Sequence, residues 1–158
     1  PETQKTAIEM IKIRPADLEK DALAIMDGAR DFASRIAVRH LLPEDDAAFI
    51  KAVGHIVSLD GMEILLAEHE GRVVGGIGIL YAPYTWNPAI LVADELFWWC
   101  STEAPFRTAR KLIDEAMQKI KERGAIPFFR KLTTSPAGVE RFYRSIDLFP
   151  IETVFTWL

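Results

Sequence analysis

The sequence predicts an α/β domain in which helices flank a mixed β-sheet, and two observations carry that reading. The first is the stretch Leu96 to Gly124, LFWWCSTEAPFRTARKLIDEAMQKIKERG, in which an apolar strand runs through a short connection into an amphipathic helix. The second is a change of period. The first third of the chain repeats its apolar residues at helical spacing, whereas the middle reads as strands punctuated by a Glu70-Gly71 turn.

The elements follow in order. Ile8 to Arg14 alternates as a short strand with Ile11 and Ile13 on one face, and Pro15 stops it. Asp17 is placed to cap a helix through Leu18, Leu23, Ile25, Met26 and Phe32. A second helix is expected from Pro43 or Glu44 to Leu59, with Phe49, Ile50, Val53, Ile56 and Val57 inward. Pro43 suits its first turn, and Glu44, Asp45 and Asp46 suit its positive end. Glu63 to Glu68 and Arg72 to Tyr81 form the predicted hairpin. Gly75, Gly76 and Gly78 lie inside its second strand, marking either a bulge or close packing against a helix.

Ala82 to Ala89, with two prolines and an Asn-Pro pair, reads as a loop bearing Tyr84 and Trp86. Leu91 to Trp99 is then a central strand, identified by apolar content rather than clean alternation. The helix from about Pro105 to Arg123 turns Ala109, Leu112, Ile113, Ala116, Met117 and Ile120 inward and ends at Gly124. Ile126 to Lys131 is a further strand. Ser135 caps a short helix that has Pro136 at its first position and reaches about Ile146, and Ile151 to Leu158 closes the chain as a strand. The order βααβββαβαβ contains no repeat or linker, so residues 1–158 are expected to form a single domain.

Composition narrows the function. With 19 basic and 23 acidic residues the net charge is −4, which argues against a dedicated nucleic-acid binder. Cys100 is the one cysteine, so neither an intrachain disulfide nor a thiolate metal cluster is available. His40, His55 and His69 lack metal-ligand spacing, and no metal is implied. PETQKTAIEM has no leader pattern and no run approaches transmembrane length, so a cytoplasmic protein with no membrane partner is the expectation. Arg107, Arg110 and Lys111 crowd the start of the long helix, where free N–H groups favour a phosphate. An ordinary αβ unit with basic residues on its wet face has the same local pattern.

Taken together, the opening IKIRPA, the two-helix insertion, the AEHEGRVVGG hairpin, the strand leading into the long helix and the late FYRSIDLFP resemble the GNAT N-acetyltransferase superfamily over nearly the whole chain. The resemblance implies a GNAT-like acyl-CoA N-acyltransferase fold and acetyl-CoA as donor. The family's loop before the long helix, (Arg/Gln)-x-x-Gly-x-(Gly/Ala), holds the pyrophosphate through backbone N–H groups. Here it falls on Ala104 to Ala109. Ala109 conforms, but Ala104 and Arg107 stand where Arg/Gln and the first Gly are usual, and Pro105 lacks an N–H. Arg107 either obstructs the phosphate or supplies a charged contact to it.

By the same resemblance, Arg107, Thr108, Ala109, Arg110 and Lys111 are the cofactor-binding loop, and the main chain at Phe97, Trp98 and Trp99 lies along the thioester. Those three aromatic side chains are better read as core or dimer filling than as catalysts. Tyr143 matches the family tyrosine that protonates the departing thiolate, although Asp147 and Leu148 replace the common Gly-Phe. A structural tyrosine with a satisfied hydroxyl is the competing reading. Glu95 is the candidate general base, with Asp94 in reserve and an ion pair with Arg130 as the structural alternative. His40, Tyr84 and Trp86 are placed at the acceptor pocket for a small-molecule or protein amine. Homodimer contacts are expected of the last helix and the aromatic C-terminus. The implied function is an acetyl-CoA-dependent N-acetyltransferase, and the alternative is a GNAT-fold binding or regulatory module without catalysis.

Overall fold

The computed structural model describes residues 11–36, 41–132 and 135–152. Its strands are β1 (Ile11–Pro15), β2 (Met62–His69), β3 (Arg72–Tyr84), β4 (Asn87–Cys100) and β5 (Ile126–Phe128). Its helices are α1 (Ala22–Ala33), α2 (Asp46–Val57), α3 (Thr108–Glu122) and α4 (Gly138–Arg144). The sheet follows chain order, β1-β2-β3-β4-β5. The first three pairings are antiparallel, and β5 joins β4 in parallel after the α3 crossover.

Two apolar layers hold the sheet. On one face Leu65, Ile77, Ile79 and Ala93 pack on Leu112, Ile113, Ala116 and Ile120 of α3. On the other, Ile64, Leu66, Phe97 and Trp99 pack with Ile25 of α1. Gly76 and Gly78 of β3 pack closely against aromatic side chains of the neighbouring strand, whereas Gly75 meets the Trp99 carbonyl and Cys100 beside a register shift between β2 and β3. A Cβ on Gly76 would lie 2.3 Å from the Trp99 ring, and one on Gly28 of α1 would lie 2.2 Å from it, so Trp99 fits a slot between two glycines.

A bulge on β4 adds the second device. Gly78 pairs with Phe97 but Ile79 pairs with Glu95, which leaves Leu96 as the extra residue. The insertion sends Leu96 and Phe97 to the same face, beside α1, and returns Trp98 to the α3 face. That is why the strand lacks clean alternation in sequence.

Several boundaries differ from expectation. Asp17 closes a turn, accepting from the N–H groups of Glu19 and Lys20, and α1 starts only after Asp21. Asp21 is held by Arg14, which also binds Glu68, so the helix start is tied to β1 and β2. Leu18 therefore lies before the helix rather than in it, and both Leu18 and Leu23 are exposed. α2 starts at Asp46, with Asp45 accepting from the Ala48 N–H at 2.7 Å, so Pro43 precedes the helix and Ile50 faces outward.

The segment Ala82 to Ala89 is not a loop. β3 and β4 continue as a long hairpin whose turn is Thr85-Trp86. Its prolines sit where pairing slips, with Pro83 opposite Leu91 and Tyr84 opposite Asn87. α3 begins at Thr108 rather than Pro105, and β5 ends at Phe128 rather than Lys131. α4 begins at Gly138, later than the Ser135-Pro136 start. Instead of capping that helix, the Ser135 hydroxyl accepts the Leu132 N–H. Ile151 and Glu152 are not in a strand, and the rest of the expected final strand lies outside the described residues. Among the described residues, no helix is long and apolar enough to cross a membrane.

Candidate active site

β4 and β5 pair only from Val92 to Asp94, opposite Ile126 to Phe128. Beyond Asp94, no described strand covers that edge of β4. The sheet therefore parts between two parallel strands, next to the bulge and on the side where α3 and α4 pack.

Glu95 stands at the parting point. It is 1% exposed, and its carboxylate accepts the main-chain N–H of Arg130 at 3.0 Å, in place of a continued strand ladder. Burial pushes its carboxyl up to about 7, opposed by the Arg130 N–H and the nearby guanidinium. The Arg130 side chain does not pair with that carboxylate. Its guanidinium bonds Asp94 at 2.9 Å and also donates to the Glu95 carbonyl. Asp94, the reserve base, is thus committed to an ion pair.

Tyr143, on α4, is buried against the same segment. Its hydroxyl donates to the Arg130 carbonyl at 3.0 Å and accepts the indole N–H of Trp98 at 3.0 Å. Burial raises the phenol well above its ordinary value, and the Trp98 bond partly opposes the rise. The two candidate proton carriers, Glu95 and Tyr143, therefore meet at one residue, Arg130, through its N–H and its carbonyl. Sequence reasoning had Arg130 only as an ion-pair partner. Its main-chain role leaves no mark in the sequence, because it depends on where β5 stops.

The start of α3 supplies the second half of the site. Arg107 precedes the helix with φ +72° and ψ +4°, the left-handed region that glycine occupies freely. The backbone thus keeps a glycine-like conformation at the position where the resembling family usually has Gly. The side chain is exposed and lies over Phe106, 5.6 Å from guanidinium carbon to ring centre. Among the described residues, no backbone carbonyl accepts the N–H of Ala109 or Arg110, as expected of a helix start. Thr108 is buried, and both its hydroxyl, at 2.7 Å, and its N–H, at 3.1 Å, donate to the Pro105 carbonyl, so it braces the turn. Arg110 is paired with Asp114 at 2.8 Å and stacks over Phe142.

Asp147 repeats the pattern with φ +62°. Leu148 N–H bonds the Tyr143 carbonyl and Asp147 N–H bonds that of Arg144, which closes α4 in the manner usual for a glycine. The departures at Arg107 and Asp147 thus alter side chains while the backbone keeps glycine-like angles.

The remaining expected residues are dispersed. Phe97 and Trp99 are buried on the α1 face, so of the three aromatics only Trp98 shares a face with Glu95 and Tyr143. Tyr84 packs edge-on to Phe128 near the β4–β5 pairing. Trp86 does not join the site. It is 85% exposed at the hairpin tip, beyond Tyr84, which lies five residues or roughly 17 Å along β3 from Ile79, the partner of Glu95, at about 3.3 Å per residue. His40 lies outside the described residues, and His55 is exposed on α2. Cys100 is largely buried and its thiol is pushed up to about 11, unsuited to nucleophilic work. Among the described residues, no group of three or more His, Cys, Asp or Glu is placed to hold a metal.

A mixed sheet that opens between parallel strands, above the start of a helix, is the framework of an acyl-CoA N-acyltransferase fold. The solved structures place the chain in that class: it has the GNAT fold. It is similar to a ribosomal-protein-alanine N-acetyltransferase from Brucella melitensis biovar Abortus 2308, at 17% identity and TM-score 0.71, over 95% of this chain and 99% of that one. It is similar at 18% identity and TM-score 0.69 to a protein described as a transcriptional regulator from Bacillus halodurans C-125, over 94% and 99% of the two chains. A predicted acetyltransferase from Clostridium acetobutylicum, solved with acetyl-CoA, matches at 13% identity and TM-score 0.66, over 94% and 96%. No family model matches the chain, and no curated protein matches it in sequence.

Proposed function

We propose that the protein is an acetyl-CoA-dependent N-acetyltransferase that transfers acetyl directly to an amine of a small molecule or protein. The observation that carries this reading is the meeting of Glu95 and Tyr143 at Arg130, where β4 and β5 part.

The residues present fit the donor. The left-handed turn at Arg107 and the N–H groups of Ala109 and Arg110 at the helix start suit an anion, with Arg107 and Lys111 adding positive charge while Arg110 is held by Asp114. Thr108 fixes the turn through its two bonds to the Pro105 carbonyl. The edge of β4 at Phe97, Trp98 and Trp99, which no described strand covers, offers backbone groups to an extended chain. Acetyl-CoA supplies an acetyl group activated as a thioester.

The chain's own task is to move protons. Glu95, with a carboxyl raised to about 7, is partly ionised near neutral pH and takes a proton from the attacking amine. Tyr143 stays protonated over the working range and gives its proton to the departing sulfur. The acetyltransferases among similar structures and the shared fold support this reading. A cytoplasmic location belongs to the same proposal.

Calorimetric titration with acetyl-CoA, with CoA and adenosine diphosphate as controls, tests the donor half. One-site binding followed by acetylation in an amine panel supports the enzyme. No binding at millimolar acetyl-CoA rejects it in favour of a GNAT-fold binding module.

A further inference from the structure

Trp98 sits on the α3 face only because the extra residue Leu96 shifts the strand's alternation. Its indole Nε1 is a donor with no acceptor capacity, and it points at the Tyr143 oxygen from 3.0 Å. The phenol oxygen must therefore accept from Trp98, and its own proton must point elsewhere. In this structure that proton goes to the Arg130 carbonyl, at the parted edge of the sheet.

We propose that Trp98 is a positioning residue for the transfer reaction, aiming the Tyr143 proton into the opening between β4 and β5 and holding the phenolate left when that proton departs. The inference rests on the transferase reading above and deepens it. In the step concerned, the amine nitrogen forms its bond to the acetyl carbon and the carbon–sulfur bond breaks. The electron pair stays on sulfur, which takes the Tyr143 proton, while the amine proton goes to Glu95. Tyr143 is left as phenolate with the Trp98 N–H still donating to it. Solvent then returns a proton to Tyr143 and takes one from Glu95. An indole N–H facing a forming anion strengthens its bond during the step, so it favours the transition state over the ground state.

Trp98→Phe removes the donor and keeps an aromatic ring. The expected result is a kcat lower by roughly 10- to 100-fold, the worth of one hydrogen bond to a charged group, with acetyl-CoA affinity unchanged. In a Tyr143→Phe background the same substitution should leave kcat where Tyr143→Phe alone put it. A readout without turnover accompanies this. Tyr143→Phe should shift the Trp98 indole N–H resonance and speed its exchange with solvent, and an unmoved resonance overturns the proposal. Equal losses in both backgrounds, or an unchanged kcat in Trp98→Phe, overturn Trp98 alone. Absence of turnover by the unaltered chain across the amine panel overturns the transferase reading and the role of Trp98 with it.

Discussion

Replacing Arg107 with Gly should leave the protein more stable than replacing it with Ala, while both weaken its grip on acetyl-CoA. Arg107 is held at φ +72°, where an L side chain costs about 1–2 kcal/mol. Glycine removes that strain but loses about 0.5–1 kcal/mol more backbone freedom on folding. Relative to a residue that keeps the Cβ, the net gain is therefore about 0–1.5 kcal/mol, worth up to about 3–6 °C in Tm for a chain of this size. Arg107→Ala is the control, since it removes the guanidinium and keeps the strained Cβ. The exposed stacking on Phe106 adds about 0.5–1 kcal/mol at most. Both variants lose that stacking, which offsets about as much as the relieved strain gains, so the expected order of Tm is Gly at or near Arg, with Ala below both. Thermal melts by circular dichroism read the order. If Arg107→Gly melts no higher than Arg107→Ala, the left-handed strain argument is wrong. On the binding side, both variants should bind acetyl-CoA about tenfold or more weakly at low salt, through loss of a charge-assisted phosphate contact. Unchanged affinity in both would mean that the backbone alone holds the ligand.

Two further outcomes follow from the site and core. The Glu95 carboxyl is raised to about 7 from 4.5. Between those values the folded state retains a proton that the unfolded state has released, so stability should fall as pH rises from about 4.5 to 7, then level off. The loss is about 3 kcal/mol. Glu95→Gln should abolish this slope in denaturant titrations across pH, and an unaltered slope would exclude Glu95 as its source. In the core, Gly28→Ala would drive a methyl to 2.2 Å from the Trp99 ring, and Gly76→Ala to 2.3 Å. Each should cost about 1–3 kcal/mol by overpacking, and a shift in the near-ultraviolet tryptophan signal should accompany the loss. A neutral effect at both positions would mean that Trp99 does not fill the slot.

Much of the architecture was legible in the chain itself. The helical period of α3, its end at Gly124, the Glu70-Gly71 hairpin turn and the apolar β4 are encoded locally, in residues a few positions apart. Local pattern misled where proline stood inside β3 and β4. Proline is a loop signal by sequence, yet the long hairpin tolerates it where pairing slips. It misled again at Leu18, Leu23 and Ile50, apolar residues at helical spacing that face outward.

The candidate site divided along the same line. Glu95, Tyr143 and the basic start of α3 were readable as residue types on particular elements. That Glu95 accepts a main-chain N–H, that Tyr143 meets it at Arg130, and that Trp98 alone of three aromatics joins them were not. Each of these depends on a one-residue bulge and on where β5 leaves β4. A register shift reverses which face a side chain takes without altering hydrophobicity. The sequence by itself determined the elements and the chemistry they carry, because both are short-range. Only the tertiary structure decided which groups meet, because a hydrogen bond between residues 98 and 143 or between 95 and 130 exists only once the sheet has parted and α4 has packed beside it.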